Sequence, residues 1–293
     1  MARHEYRLVD VFTTERFGGN PLAVFPHADT VGQADMQRIA RELNLSETTF
    51  VQPATHPECD FRVRIFAPRC EMPMAGHPTI GTAWVLDHGA RVVFQENVGP
   101  IEVERVTPES AGNIWRMAQP LPAWGPRLAS RAAAAAIVGL EAEDIDPALP
   151  VEVVSTGAPF LFVPLRDRAA LGRARVSAEA CERVAELAGT YGVFCFTTDS
   201  GAADATVRSR MFAPAVGVPE DPATGSGSGA LGCYLVRYGV VAAGAPARML
   251  SLQGVEMGRP SRIHIEIAGQ PDAITAVRVA GACVAVGGGY IEL

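Results

Sequence analysis

The sequence predicts an α/β protein built from two similar halves that face one cleft. Three observations support this prediction: the chain length, an internal repeat, and an apolar helix at the same place in each copy of the repeat. At 293 residues, the chain corresponds to about two domains of ~150 residues each. Hydrophobic residues make up 48% and charged residues 19% of the chain, which is enough apolar material to bury a substantial core.

The internal repeat is clearest around a five-residue motif. Residues 64–68 read Arg-Ile-Phe-Ala-Pro, and residues 210–214 read Arg-Met-Phe-Ala-Pro. A glycine turn follows each copy, at residues 75–78 and at residues 224–227, and each turn leads into an apolar segment. These segments are apolar nearly all round, which predicts two helices that are each buried inside their half.

The repeat extends upstream through further matching segments. Residues 19–25 resemble residues 157–163. An amphipathic helix follows in each half, with apolar residues spaced i, i+3, i+4 and i+7 over residues 36–43 and 181–188. Each half is therefore predicted to hold strands, one surface helix, more strands, and a glycine turn that opens the buried helix.

A proline-rich segment separates the two halves. Residues 119–126 contain three prolines, a composition typical of a stiff linker. We therefore predict a first half over residues 1–118 and a second half over residues 127–283. Two equivalent halves favour a ligand site at their interface, where both glycine turns can face one ligand.

Charge and composition argue against several classes of function. The net charge is −7 and the arginines are scattered, so no nucleic-acid partner is expected. No apolar stretch is long enough for a transmembrane helix and the N-terminus lacks a signal-peptide pattern, so we expect a cytoplasmic protein without a membrane partner. The six cysteines are widely spaced and form no CxxC pair, which indicates neither a zinc site nor a disulfide scaffold.

The chain contains no lysine, which restricts its chemistry. This excludes a Schiff base with pyridoxal phosphate or a carbonyl substrate, and it excludes a Walker A lysine. Residues 227–232 match GxGxxG, but the prolines before them leave no clean strand to enter a dinucleotide-binding turn. Carboxylates, His, Ser, Cys, backbone amides or a bound ion remain available, and we predict neither a cofactor nor a metal.

The two glycine turns are candidate anion sites. A helix N-terminus presents unpaired N–H groups and a partial positive charge, and glycine lets a ligand approach the backbone closely. Two such termini aimed at one cleft would hold a carboxylate or an enolate-like oxygen. Tight turns that merely precede buried helices are the alternative for each turn taken alone.

Three side chains are candidates for the chemistry. His77 begins the first buried helix, where a neutral imidazole can bind a carboxylate, shuttle a proton or simply cap the helix. Asp221 lies between prolines ahead of the second turn and can bind an amine or a hydroxyl, or only stabilise the helix dipole. Glu47 enters an apolar strand, where desolvation would suit its carboxyl to proton transfer, and an exposed loop glutamate is the alternative.

Long segments of the chain match one protein family from end to end. They are residues 9–12 with 19–21, 36–51, 64–81, 208–229 and 252–260. On these segments the chain resembles the PhzF-like family of phenazine biosynthesis, which shares the diaminopimelate-epimerase fold. The resemblance implies an α/β (α+β) protein of two pseudo-symmetric halves, each with an antiparallel, barrel-like sheet around a central helix. It also implies a C-terminal strand near 284–293 that returns to the first half, and a homodimer.

The resemblance also implies a function. Within the family the chain looks closest to the isomerase of the phenazine pathway, which acts on trans-2,3-dihydro-3-hydroxyanthranilate without a cofactor. The family's essential glutamate falls on Glu47, which would take a proton from C3 and return one to C1. The family's histidine and aspartate fall on His77 and Asp221. Further positions for binding the substrate are Asn20, Ser46, Gly76, Gly225 and Ser226.

Two alternative functions remain open from the sequence. The related epimerases use two cysteines, one at each glycine turn, whereas those places hold Ala75 and Thr224 here. Cys70 precedes its turn by several residues. These positions argue against an amino-acid racemase or epimerase. The second alternative is a non-catalytic protein that binds small carboxylates in the same cleft.

Overall fold

Strands and two buried helices define the architecture. The computed structural model describes residues 2–106, 113–244 and 246–293, so residues 1 and 107–112 of the predicted first half lie outside the described parts. Helices α1 to α6 span Gln33–Leu43, Gly76–Leu86, Arg131–Ile137, Arg168–Arg173, Ala178–Ala188 and Gly225–Arg237. Strands β1 to β17 span Arg3–Val11, Asn20–Phe25, Glu47–Pro53, Phe61–Phe66, Glu71–Met72, Arg91–Glu96, Gly99–Val106, Ile114–Gln119, Ala123–Leu128, Val151–Ser155, Pro159–Pro164, Gly192–Thr197, Val207–Ala213, Val218–Asp221, Ala247–Gln253, Ser261–Gln270 and Ala273–Glu292.

Eight strands close into a barrel in the first half. Pairing runs from β1 through β2, β3, β4, β6, β7, β8 and β17 and back to β1. The pairings β2–β3 and β4–β6 are parallel, and the others are antiparallel. Helix α2 runs inside and contacts β1, β2, β3, β7, β8 and β17. Its Gly81 packs closely there, because a Cβ would lie 2.5 Å from a Leu22 methyl carbon and 2.8 Å from one of Val11 and would force these side chains to shift.

The second half repeats this arrangement. Pairing runs through β10, β11, β12, β13, β15, β16 and β17, and β9 adds to β10. The pairings β11–β12 and β13–β15 are parallel, as their counterparts are in the first half. Helix α6 lies inside, with every residue from Gly225 to Val236 buried. The predicted fold of two barrel-like halves around central helices is therefore confirmed.

The outer helices differ from the prediction in the second half. Helix α1 covers the first barrel through Met36, Ile39 and Ala40, and α5 covers the second through a similar apolar face. The prediction of a single surface helix per half was wrong for the second half, where α3 and α4 pack beside α5. Within the described ranges, no helix is both long and apolar enough to cross a membrane.

Strand β17 belongs to both sheets. Its beginning pairs with β16 from Ala273 to Ala280, and its end pairs with β1 from Cys283 to Glu292. The strand that returns to the first half is thus the end of one continuous strand. Segment 119–126, predicted as a linker, contains the end of β8 and the start of β9. The division of the chain at this segment stays a prediction.

Candidate active site

Helices α2 and α6 meet at their N-termini, beside a cavity of about 310 Å³. A Cβ built on Gly76 would lie 2.5 Å from the Cα of Gly225 and 2.6 Å from the amide nitrogen of Ser226. All three residues line the cavity, together with Glu47, His77 and Asp221. The structure therefore brings the two glycine turns and the three candidate side chains into one site.

Glu47 reaches the cavity because α1 ends four residues before it and the backbone then turns into β3. Helix α1 ends at Leu43, and Asn44 takes the left-handed conformation with φ 51°, which turns the backbone into β3. Glu47 is the first residue of β3 and its side chain is only 12% exposed. Burial raises the pKa of its carboxyl well above the usual value, and the negative charge of Asp221 raises it further.

His77 lies beside Glu47 as a neutral imidazole. Its Nδ1 is 3.3 Å from Oε2 of Glu47, and its side chain is 2% exposed. Burial lowers the pKa of the imidazole to about 3, so the ring carries no charge at neutral pH. Its Nε2 is buried and has no hydrogen-bond partner within the described part of the chain. That nitrogen is therefore available to a ligand.

Asn20 is the hydrogen-bond donor that joins the two halves of the site. Its Nδ2 donates to Oδ1 of Asp221 at 2.7 Å and to the carbonyl oxygen of Ala223 at 2.9 Å. These two bonds use both hydrogens of the amide group. Asn20 then has no hydrogen left for Nδ1 of His77, which lies 3.0 Å from its Nδ2. That nitrogen also faces Oε2 of Glu47 at 3.3 Å, and Oε2 makes no hydrogen bond among the described residues.

Asp221 is held by side chains from both halves. The hydroxyl of Thr224 donates to its Oδ2 at 2.6 Å, and the hydroxyl of Ser46 lies close enough to lower the pKa of the carboxyl. Burial raises the pKa of Asp221 to about 6, and the side chains of Thr224, Ser46 and Asn20 oppose that rise. Two buried carboxyls thus lie in one cluster with elevated pKa values.

Gln253 fixes the second glycine turn and was missed from the sequence. Its Nε2 donates to the carbonyl oxygen of Asp221 at 2.8 Å and to Oγ1 of Thr224 at 2.9 Å, and its Oε1 accepts from the Thr224 amide at 3.0 Å. It begins the Gln-Gly-Val-Glu stretch that carries part of the family resemblance. Nothing in that stretch indicated a bond back to Asp221.

Backbone N–H groups are the donors that an anion would meet in this cavity. Neither α2 nor α6 has a side chain capping its N-terminus. The chain has no lysine, and among the described residues no arginine lines the cavity. The first-turn amides of both helices can therefore hold a carboxylate.

The same three side chains are of types that bind metals. Ligand atoms of Glu47, His77 and Asp221 lie within 4.8 Å of one another. Both oxygens of Asp221 already accept short hydrogen bonds, from Asn20 and from Thr224. A cation would have to compete with those bonds and would find only two uncommitted side chains, fewer than the three that catalytic zinc sites use. The donor set therefore fits a metal poorly, and metal independence stays a prediction.

The equivalent of Glu47 in the second half is a glycine. Leu22 pairs with Glu47 in the parallel pairing β2–β3, and Phe160 pairs with Gly192 in the parallel pairing β11–β12. Because residues 19–25 repeat as 157–163, Leu22 and Phe160 are equivalent. Gly192 therefore takes the place of Glu47, and it also lines the cavity.

The other polar groups are replaced in the same way. Met72 pairs with Ile65 as Asp221 pairs with Met211, so Met72 is the equivalent of Asp221. By the same repeats, Ala158 is the equivalent of Asn20, and Ser226 is the equivalent of His77. Met72, Ala158 and Ser226 all line the cavity. In each of the pairs Glu47/Gly192 and Asp221/Met72, only one of the two equivalent residues therefore carries a carboxyl group.

Cys70 lies closer to the site than its sequence position indicated. It lines the cavity, and both its burial and the charge of Glu47 raise the pKa of its thiol. The hairpin between β4 and β5 folds it back, with the amide of Ala67 donating to its carbonyl oxygen at 2.9 Å. Ala75 and Thr224, not Cys70, precede the two buried helices.

Comparisons with known proteins show the family of this chain and the proteins that share its fold. The model of the PhzC-PhzF family, described as phenazine biosynthesis-like protein, matches residues 9–289. The trans-2,3-dihydro-3-hydroxyanthranilate isomerase of Pseudomonas fluorescens is 37% identical and covers 99% of this chain and 100% of its own. A solved phenazine biosynthesis protein of the PhzF family from Bacillus anthracis has a TM-score of 0.89 at 25% identity, over 100% of both chains. A hydroxyproline epimerase from Agrobacterium vitis, at 13% identity, shares the fold with a TM-score of 0.64, over 99% of this chain and 91% of its own.

Proposed function

Because this chain is an isomerase that belongs to the phenazine biosynthesis-like family, we propose that it moves a proton on a small cyclic, unsaturated amino acid. The proton carrier is Glu47, and no cofactor takes part. The substrate we propose is trans-2,3-dihydro-3-hydroxyanthranilate, the compound in the name of the Pseudomonas fluorescens relative.

The observation that carries this proposal is the one-sided placement of carboxyl groups. A racemase with two bases needs an acid or base on each face of the reacting carbon. Here the equivalents of Glu47 and Asp221 are Gly192 and Met72, neither of which carries a proton. A single carrier can instead move a proton between two carbons on the same face of a ring.

The proposed reaction keeps all atoms of the substrate. The Glu47 carboxylate takes the proton from C3, and the electron pair of the broken C–H bond forms a double bond at C3. The conjugated double bonds shift, and Glu47 returns a proton to C1. The resulting enol at C3 becomes a ketone. The raised pKa of Glu47 suits it to this exchange, because its carboxyl binds a proton more tightly than an ordinary glutamate and can both take up and release one.

The other residues bind and orient the substrate in this proposal. The first-turn amides at Gly76, Gly225 and Ser226 hold the substrate carboxylate. The unpaired Nε2 of His77 accepts a hydrogen bond from the substrate, because the Nδ1–H of the neutral ring faces the Glu47 carboxylate. Asp221 binds the amino group.

The test is isomerisation in deuterated buffer containing a metal chelator. We expect product with deuterium at C1, by NMR, and no loss of rate from the chelator. Glu47→Gln should lower the rate by about 10³-fold, within the usual range for losing a general acid or base, while a substrate analogue still raises the melting temperature. Glu42→Gln, the same change on the exposed face of α1, is the matched control and should leave the rate unchanged.

Other outcomes would point to the alternative functions. Inversion of an amino acid, with exchange of the α-proton in both antipodes, would indicate a racemase and contradict the single-carrier mechanism. Thermal stabilisation by small carboxylates, with no solvent-proton exchange by the wild-type protein, would indicate a binding protein. The homodimer and the cytoplasmic location that the sequence predicts remain predictions, which sedimentation and cell fractionation would check.

A further inference from the structure

Glu96 is a buried carboxyl that the proposed chemistry does not use. It ends β6, and it is only 3% exposed. Its Oε1 lies 2.5 Å from Oγ1 of Thr79 on α2, and its Oε2 has no hydrogen-bond partner among the described residues. The same Thr79 hydroxyl lies 2.7 Å from the carbonyl oxygen of Ala75, at the first glycine turn.

The positions of these three oxygens determine which of them carry hydrogen. A carbonyl oxygen can only accept, so Thr79 can bond to Ala75 and to Glu96 at the same time only if its single hydroxyl hydrogen goes to Ala75. The short contact between Thr79 and Glu96 then needs a second hydrogen, which only the Glu96 carboxyl can supply. The chain of bonds therefore runs from a neutral Glu96 through Thr79 to the carbonyl of Ala75.

The second half contains the same connection with an amide in place of the acid. In the parallel pairing β4–β6, Arg62 pairs with Gln95, and in β13–β15, Arg208 pairs with Leu252. Because residues 64–68 repeat as 210–214, Arg62 and Arg208 are equivalent. The next residues of β6 and β15, Glu96 and Gln253, are then equivalent too.

The helices on the other side of these bonds also correspond. Ser228 Oγ donates to the carbonyl oxygen of Thr224 at 2.9 Å, as Thr79 does to that of Ala75. Gln253 bonds directly to Thr224 and so to the second glycine turn. Each glycine turn is thus connected to the end of a strand by a hydrogen-bond donor. The donor is the neutral carboxyl of Glu96 in the first half and the side-chain amide of Gln253 in the second.

We propose that Glu96, in its neutral acid form, is a positioning residue that fixes the first glycine turn through Thr79, as Gln253 fixes the second. It does not touch the cavity. Its effect on a ligand passes through the orientation of the first-turn amides of α2. The proposal concerns the turn itself and holds whichever substrate the protein takes.

The surroundings of Glu96 keep it neutral over most of the physiological range. The charged group that faces it is Arg62 on β4, which lowers the pKa, while α2 presents the Thr79 hydroxyl and β7 pairs with it through Gly99. Burial raises the pKa of Glu96 to about 8 and outweighs both the Thr79 hydroxyl and Arg62, which lower it. Above that pH the donor is lost and a buried charge appears beneath the turn.

Hydrogen exchange of α2, read as peptides covering residues 75–86, tests this proposal without substrate. In the wild type we expect protection of this helix at about pH 6 and about tenfold faster exchange than in Glu96→Gln at about pH 9. The ratio of the two proteins at each pH cancels the intrinsic pH dependence of exchange. Glu96→Gln should stay protected at both, because its amide also donates to Thr79.

Two further variants keep the test decisive. Glu96→Ala should expose α2 at both pH values while leaving α6 as protected as in the wild type. Gln253→Glu should transfer the alkaline loss of protection to α6, and it remains informative if Glu96→Ala does not fold. An identical pH response in the wild type and Glu96→Gln, or equal loss of protection across all peptides of Glu96→Ala, would overturn the proposal.

Discussion

Gly76 and Gly225 touch across the two halves of the molecule, with no room for a side chain between them. The Cβ of an alanine at position 76 would overlap the Cα of Gly225, and one at position 225 would lie 2.9 Å from a ring carbon of Phe12. Both glycines line the cavity. The spacing of the two helix N-termini is therefore set by the absence of two methyl groups.

Gly76→Ala is expected to separate the helices and misplace both glycine turns. We expect a loss of stability of about 1–3 kcal/mol, as for other overpacked cores, and a larger loss of isomerase activity. Urea denaturation and the isomerisation assay measure the two effects. Gly172→Ala is the matched control: it lies in helix α4 with nothing within 4 Å of the new Cβ and should be neutral or slightly stabilising. Equal stability of the two variants would contradict the contact.

Removing the Asp221 charge should shift the titration of Glu47. Glu47 acts as a base only when ionised, so activity should fall as the pH drops through its raised pKa, above the range of an ordinary glutamate. Asp221→Asn removes the repulsion but not the burial, so the pKa of Glu47 should fall without reaching its usual value. The carboxyl resonance of Glu47 in ¹³C NMR reports this directly, even if the variant is inactive. An unchanged pKa would show that the two carboxyls do not interact.

Asn20→Ala should disturb the position of Asp221 while leaving the other residues of the site in place. The substitution removes the donor to Oδ1 of Asp221 and to the Ala223 carbonyl, both of which are buried, and should cost about 2–3 kcal/mol of stability. Loss of the fixed position of Asp221 should lower the isomerisation rate by about 100-fold. Gln52→Ala, which removes a single bond to the Ala28 carbonyl away from the cavity, should have a small effect on stability and none on rate. Similar rates for both variants would remove Asn20 from the site.

Cys70 should be dispensable for catalysis although it lines the cavity. Cys70→Ser is expected to keep the rate within a factor of about 3, because a thiol with a raised pKa is a poor base at neutral pH. A bulky maleimide should inactivate the wild type by filling the cavity and should spare Cys70→Ser. Cys59→Ser, outside the cavity, should remain sensitive to the reagent. A large loss of rate in Cys70→Ser would instead give the thiol a part in proton transfer.

The internal repeat predicted the two glycine turns and the buried helix that each of them opens. The family, predicted from long matching segments, is confirmed by the match over residues 9–289. In the sequence, each apolar segment stops at a glycine, Gly89 or Gly239, where a helix is expected to end. Helix α6 does end just before Gly239, with the amide of Gly239 bonded to the carbonyl of Val236 and that of Val240 to the carbonyl of Leu235. The first half ends its helix differently: Asp87, with φ 47°, takes the left-handed position two residues before Gly89.

Contacts that depend on strand register could not be predicted from the sequence. Gln253 and Glu96 act on turns that are many residues away, and their bonds depend on which strand lies beside which. The position of Cys70 depends on a hairpin that reverses within a few residues. A motif gives the identity of a residue but not its partner across a sheet, which explains why these three were missed.

Strand β17 couples the two sheets through a single stretch of backbone. Separating the halves would break its ladder with β16 or with β1, each of which runs for much of the strand. Neither barrel can then melt while the other stays intact. Heating should therefore give one calorimetric transition, with van't Hoff and calorimetric enthalpies that agree, although the chain is long enough for two independent units.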